Sequence, residues 1–205
     1  MTIRYGFYLN TSGCTGCKAC QIACKDKNEL PVGILWRRVV EASGGEWLQS
    51  GASWIANTFT YFVSMACMHC ENPICMEVCP TTAIHQRDDG IVLINDKKCV
   101  GCHYCEWACP YKALQFDDAA GVMTKCNFCY DYLDAGKAPA CVSACQMRVL
   151  DFGDIDQLRA KYGAVDDIYP LPEPSITEPS IVMTPHRHAV KAESQAAKIG
   201  NLEEI

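Results

Sequence analysis

The apolar positions of this chain fall in short runs separated by turn residues, and each run predicts a small element. Tyr5-Gly-Phe-Tyr-Leu-Asn10 is aromatic-rich and predicts a strand. Ala19 to Lys27 predicts a short helix carrying Cys24 and ended by Leu30-Pro31. Trp36 to Val40 predicts a second strand, Gly44-Gly-Glu-Trp47 and Ser50-Gly51 mark turns, and the β-rich stretch Thr58 to Met65 leads into Cys67. The 42 residues between Cys24 and Cys67 hold three of the four tryptophans, Trp36, Trp47 and Trp54, so packed structure is expected there rather than a linker. Ile91 to Asn95 predicts a strand after the turn Asp89-Gly90, and Ala113 to Phe116 another. Ile155 to Tyr162 predicts a helix with Asp154 as N-cap and Gly163 just past its end. Beyond Asp166 five prolines, at 170, 172, 174, 179 and 185, space out an extended tail that cannot be helical. It ends in the polar run Lys191 to Ile205, and two states are expected for it: a disordered terminus, or a strap along a partner subunit.

Composition narrows the class. Apolar residues are 49% of 205, but without the sixteen cysteines they fall to about 41%, a modest core. Bound metal must then supply much of the cohesion, and the metal-free chain is expected to be largely unfolded. A formal charge of −6 argues against nucleic acid, which needs a basic face. The longest apolar stretch, Phe59 to Ala66, is far too short to span a bilayer, and the first eight residues lack the apolar core of a signal peptide. A soluble or peripheral protein is expected.

The cysteines carry the chemistry. Cys99, Cys102, Cys105 and Cys109 read C-x2-C-x2-C-x3-C-P, the spacing of a bacterial-type cubane iron–sulfur site. In two-cluster ferredoxins the fourth cysteine of such a motif ligates the other cluster, so the motif implies a partner. Cys67, Cys70, Cys75 and Cys79 supply one as C-x2-C-x4-C-x3-C-P. A second pair follows from Cys14, Cys17, Cys20 and Cys24, as C-x2-C-x2-C-x3-C, and from Cys126, Cys129, Cys141 and Cys145, as C-x2-C-x11-C-x3-C. All sixteen cysteines are used in four groups of four, the requirement of four 4Fe-4S clusters.

The competing readings are weaker. Disulfide frameworks belong to short secreted chains. Structural zinc, as in a zinc-stabilised interaction scaffold, needs two pairs of thiols and not a third cysteine inside each loop. No nucleophile elbow, phosphate loop or dinucleotide fingerprint is present, and the five histidines, at 69, 85, 103, 186 and 188, have no matched nucleophile. His69 and His103 lie inside cysteine loops, where surface exposure is the expectation and a hydrogen bond to sulfur the alternative. Asp88, Asp89, Asp117 and Asp118 fall in turns and read as solvated. The chain is expected to carry electrons without transforming a substrate.

Over about residues 4 to 165 the chain resembles the iron–sulfur subunits of dimethyl sulfoxide reductases, the DmsB type, within the four-cluster subunits of molybdenum oxidoreductases. The resemblance rests on the cysteine spacings and on Tyr5-Gly-Phe-Tyr8, Ala23-Cys-Lys-Asp26, Gly44-Gly-Glu-Trp47, His69-Cys-Glu-Asn-Pro73, Val78-Cys-Pro80, Ala108-Cys-Pro-Tyr111, Thr124-Lys-Cys126 and Leu150-Asp-Phe-Gly153. Gln146 follows Cys145 where such proteins often have Pro. The resemblance implies an α+β fold of two interlocked bacterial-ferredoxin-like modules, with small β elements and short helices. Residues 1–30 with 120–165 would form an outer module, 67–119 an inner one, 31–66 an inserted packed segment and 166–205 the extended Pro-rich tail.

It further implies ligand sets of Cys14, Cys17, Cys20 with Cys145; Cys126, Cys129, Cys141 with Cys24; Cys67, Cys70, Cys75 with Cys109; and Cys99, Cys102, Cys105 with Cys79. Related nitrate reductase subunits have Trp at the position of Cys102 and hold three irons; here four are implied. The implied assembly is a heterotrimer with a molybdopterin-containing catalytic subunit and an integral membrane subunit that binds quinol, placing this chain as a peripheral subunit on a prokaryotic membrane. The Cys99 set would stand at the membrane end and the Cys14 set nearest the molybdenum. Export, if the complex works outside, would need a partner's twin-arginine signal. The alternatives are an iron–sulfur subunit of a polysulfide-, tetrathionate- or sulfite-type molybdenum enzyme, or of a hydrogenase.

Overall fold

A computed structural model describes residues 3–189 and 197–204. In chain order its strands are β1 (Tyr5–Asn10), β2 (Arg38–Gly44), β3 (Trp47–Ser50), β4 (Ser53–Ala56), β5 (Phe59–Met65), β6 (Ile84–Gln86), β7 (Val92–Ile94), β8 (Gln115–Asp117), β9 (Val122–Thr124), β10 (Leu150–Asp154), β11 (Ile181–Thr184) and β12 (Ala197–Ile199). The helices are α1 (Ala19–Lys27), α2 (Ile74–Glu77), α3 (Tyr104–Ala108), α4 (Tyr130–Asp134), α5 (Ala140–Ser143) and α6 (Ile155–Tyr162). Short helices and mixed, mostly hairpin-built strands make this a small α+β fold.

β1 is the hub. It pairs antiparallel with β10, bringing residues 5–9 against 150–154, and parallel with β11 on its other edge. Alternation of side chains along a strand divides the sheet into two faces. Phe7, Leu9, Ile181 and Met183 enter the main core, while Tyr8 and Val182 pack beneath Ile155 and Leu158 of α6. α6 starts where the sequence signals it: the Asp154 carboxylate accepts from the Asp156 and Gln157 amides at 2.9 and 3.3 Å, and Gly163 ends it at φ 94°.

β2 pairs antiparallel with β5, and β12 lies along the outer edge of β2. The expected strand at Trp36 begins instead at Arg38. Leu35 and Trp36 are tied elsewhere, the Leu35 amide to Gln115 Oε1 at 2.6 Å and the Trp36 indole to Thr124 Oγ1 at 3.1 Å. The short hairpins β6–β7 and β8–β9 complete the sheets; β8 starts two residues after Ala113, because Ala113 and Leu114 are spent on buried packing.

Two expectations change. The segment between Cys24 and Cys67 is packed along β2 and β5, but the β3–β4 hairpin projects with every residue exposed, Trp47 and Trp54 at 62% and 60%. Tryptophan count alone does not report packing. The Pro-rich stretch after Asp166 is mostly extended but includes a short 3-10 turn at Pro174–Ile176, and its described part packs against this chain. Ile168, Leu171, Ile181, Val182 and Met183 are buried in this chain's own core, and β11 occupies the free edge of β1. Of the polar run Lys191 to Ile205, residues 191–196 and 205 lie outside the described residues, and β12 comes from the rest.

Candidate metal centres

Each cysteine motif opens with a C-x2-C loop, and in all four the residue before the second cysteine has positive φ: Gly16 at 69°, His69 at 45°, Gly101 at 62° and Phe128 at 61°. The position after the second cysteine repeats the conformation at Lys18 and His103, each of which opens a helix. A third set follows three residues after the last cysteine, at Thr82, Lys112 and Arg148. Left-handed residues next to right-handed ones make concave nests of backbone N–H groups, a form of anion site used around iron–sulfur clusters. Glycine is needed where space is also short. A Cβ on Gly16 would stand 2.6 Å from the Phe62 ring, and one on Gly101 2.8 Å from the Gly121 carbonyl oxygen.

The fold gathers the sixteen thiols into four groups. Cys14, Cys17, Cys20 and Cys145 line one cavity, Cys67, Cys70, Cys75 and Cys109 a second, and Cys79, Cys99, Cys102 and Cys105 a third. These voids, of about 10 to 20 Å³, are otherwise walled by apolar residues such as Leu9, Val39, Val92, Leu114 and Met123. Each is about the size of one water molecule, so what sets them apart is the convergence of four thiols on an apolar void, three times over, and not their volume. Cys24, Cys126, Cys129 and Cys141 form the fourth group, all buried and mutually repelling as thiolates. Among the described residues no three His, Cys, Asp or Glu side chains converge closely enough to hold a single metal ion. Sulfurs spread around a void fit a polynuclear iron–sulfur cluster and not a tetrahedral zinc ion.

The C-x3-C elements join the groups. Cys20 and Cys24 lie one turn apart on α1, while Cys75, Cys105 and Cys141 lie in the first turn of α2, α3 and α5, with Cys79, Cys109 and Cys145 just past the helix ends. In each case the two thiols belong to different groups. The first group therefore adjoins the fourth through α1 and α5, which pack together, and the second adjoins the third through α2 and α3. Cys126 of the fourth feels the charge of Cys67 in the second, so the row runs first, fourth, second, third.

Burial makes these thiols reluctant to ionise. Desolvation pushes Cys24 and Cys70 up to about 12 and Cys105 up to about 11, and also raises Cys14, Cys20, Cys75, Cys109, Cys126 and Cys141, with neighbouring thiolates adding to the effect. Cys79 is the exception. Its desolvation is outweighed by the Ile84 and Ala83 amides and the Thr81 hydroxyl, which together lower it. Amide-to-sulfur hydrogen bonds recur: Ala83 to Cys79 at 3.3 Å, and Met123 to Cys99, Phe128 to Cys126 and Val149 to Cys145 at 3.4 Å each.

Three buried polar groups among the thiols carried no signal in the sequence. His69 is fully buried, against the expectation of exposure; Nδ1 accepts the Val92 amide at 3.0 Å, and burial with Lys125, Arg37 and Arg4 nearby keeps the ring neutral. Its proton is then on Nε2, which has no partner among the described residues. Lys125 and Arg37 are buried cations. His103 is half-buried and pairs with Glu106 at 2.7 Å. Of the turn carboxylates, Asp89 meets Arg87 at 2.9 Å, and Asp117 accepts the Ala119 and Ala120 amides.

Residues 58–155 match the family model of the 4Fe-4S dicluster domain. The sequence is 43% identical over 205 residues, the whole of both proteins, to the B subunit of the anaerobic dimethyl sulfoxide reductase of Escherichia coli (strain K12). It is 45% identical to the subunit of the same name from Haemophilus influenzae, over 98% of this chain and 99% of that one. Identity to the B subunit of the polysulfide reductase of Wolinella succinogenes is 38%, over 91% and 97% of the two.

Proposed function

Because this protein belongs to the family of anaerobic dimethyl sulfoxide reductase B subunits, we propose that it is a non-catalytic electron-transfer subunit carrying four 4Fe-4S clusters. It would pass electrons between a quinol-binding membrane subunit and a molybdopterin-containing catalytic subunit. The observation that carries the reading is the gathering of sixteen thiols into four groups of four, three of them around apolar voids. When bound, the clusters supply one-electron storage at potentials tuned by charge, hydrogen bonding and solvent access. The chain's own residues do the rest: they place four sulfurs per void, aim amides at them and exclude water.

The ligand sets we propose are Cys14, Cys17, Cys20, Cys145; Cys24, Cys126, Cys129, Cys141; Cys67, Cys70, Cys75, Cys109; and Cys79, Cys99, Cys102, Cys105. Residues 1–30 with 120–165 form the outer module, around the inner one of 67–119. A heterotrimer with this subunit as its peripheral member is supported by the family. Among the described residues no helix is long and apolar enough to cross a membrane. The ends of the row favour exchange with partners. Cys17 of the first group is exposed, and Val100, Tyr104 and Trp107 form an exposed apolar surface at the third, where Trp107 is 74% open. Anaerobic purification followed by metal analysis tests the reading. About sixteen irons per chain are expected, four for each set of four cysteines; zinc, or iron near eight, would refute it.

A further inference from the structure

Arg37 sits in the core just ahead of β2, with 2% of its surface exposed. Its guanidinium lies over the Phe7 ring, 4.7 Å from the ring centre. Nη1 donates to the Ser64 carbonyl oxygen at 3.2 Å and to the Ser64 hydroxyl at 3.1 Å. Among the described residues Nε and Nη2 have no hydrogen-bond partner, and Arg37 makes no ion pair with a carboxylate.

A cation held out of water needs an anion beside it, or its burial is strongly unfavourable. The candidates here are thiolates. Cys20 is reached through Ser64, and Cys141, Cys126 and Cys24 are close enough for their charge to act on the guanidinium. Cys20 belongs to the first group and the other three to the fourth. Ser64 extends the reach: its hydroxyl accepts from Nη1, stands 3.3 Å from Cys20 Sγ and lines the first cavity. Lys125 is a useful contrast, since its buried ammonium is satisfied by the carbonyl oxygens of Val92 and Cys126. Arg37 has two nitrogens left over, and sulfur is what surrounds them.

We propose that Arg37 is the shared counter-ion of the first and fourth cysteine groups, and that its fixed charge raises the reduction potential of the clusters held at both. The inference rests on the cluster reading above. Adding an electron to a thiolate-ligated cluster makes it more negative, so a nearby fixed cation stabilises the reduced form over the oxidised one. Arginine suits the position because it stays charged when buried, and its planar fork can hold Ser64 through one nitrogen while leaving others for sulfur. It lies at the boundary between two groups, so one residue shifts both potentials in the same direction.

The test is a redox titration followed by electron paramagnetic resonance on the full chain with its co-purifying partners, comparing Arg37→Gln and Arg37→Lys with the parent. In Arg37→Gln the reduced-to-oxidised ratio at a given ambient potential should fall at least tenfold at two clusters, a downward shift of about 59 mV or more for one electron. The other two should not move, and Arg37→Lys should recover most of the difference. Ser64→Ala serves if Arg37→Gln loses its clusters; it should lower the first group's cluster alone, by removing the hydroxyl that stands between Arg37 and Cys20. Unmoved potentials, four equal shifts, or an Arg37→Lys shift as large as that of Arg37→Gln would overturn the proposal. So would an unmoved cluster in Ser64→Ala. Iron analysis of the parent keeps the two levels apart: a parent without four clusters refutes the cluster reading, whereas a parent with four and an inert Arg37→Gln refutes only the counter-ion.

Discussion

Replacing Met183 by Ala tests whether the stretch after the fourth cysteine motif belongs to the core. Met183 lies in β11 with no surface exposed, opposite the fully buried Leu9 in the parallel register with β1, and its amide donates to the Val165 carbonyl oxygen at 2.7 Å. Truncating a buried Met to Ala costs about 2–5 kcal/mol. Here the neighbours are strand residues fixed from both sides by β10 and β11, so about 3 kcal/mol is the working figure. Because about 1.4 kcal/mol is a tenfold change in an equilibrium, the population open enough to lose iron should rise by roughly a hundredfold. The assay is the rate of iron capture by excess chelator from the cluster-loaded protein, under conditions where opening and closing are faster than capture. Glu173→Ala, a surface change in the same stretch, should stay within about twofold. A Met183→Ala rate within that same margin would show that β11 is not part of the cooperative fold.

Gly101→Ala should strip about four irons, those of the Cys79, Cys99, Cys102 and Cys105 group, and spare the others, since the new Cβ meets the Gly121 carbonyl and Phe116 ring at 2.8 Å at a positive φ; full iron content would contradict this. Asp154→Ala should destabilise α6 by about 1 kcal/mol through loss of two amide contacts, and Asp154→Asn should recover most of it in chemical denaturation. Cluster assembly should become more favourable with rising pH between about 6 and 8, because iron needs thiolates while burial holds Cys24 and Cys70 up near 12 and Cys105 near 11, so each ligand bound releases a proton. Iron per chain after reconstitution at graded pH measures it, and a falling or flat profile would reverse the sign.

Local signals were readable where one residue decides the backbone. Asp154 and Gly163 bound α6 at the residues their chemistry marks, and Tyr5 to Asn10 forms a strand over the whole stretch that the aromatics indicate. The four cysteine motifs were legible in their spacing, whereas which thiol of one motif stands beside the next came only with the family resemblance, and the structure brings the thiols of different motifs together at three voids. What escaped depends on long-range partners. The prolines after Asp166 rule out an α-helix through the stretch, yet Pro174 opens a short 3-10 turn, and they say nothing of which edge an extended segment will fill; β11 pairs with a strand some 170 residues earlier. Trp47 and Trp54 are apolar in composition and exposed in fact. Arg37 and Lys125 are buried although nothing in the sequence marks them, because a one-dimensional pattern does not show which charges the fold will enclose.

The left-handed residues show why four motifs with different middle spacings converge on one local shape. Loop length between the second and third cysteines varies from two residues to eleven, yet positive φ recurs before the second cysteine in every motif, including at His69 and Phe128, where it costs of order 1 kcal/mol or more. A left-handed conformation repeated in all four motifs, at a cost in two of them, needs a common cause, and a concave ring of amides around a bound anion supplies one. At His69 and Phe128 the side chain offers compensation that glycine could not. Phe128 stacks on Phe7 with ring centres 4.1 Å apart, and His69 meets the Phe128 ring edge-on at 5.1 Å. These two loops belong to the second and fourth groups, in the middle of the row, where water must be kept out. Glycine takes the same position in the first and third groups, where a Cβ would meet the Phe62 ring or the Gly121 carbonyl oxygen.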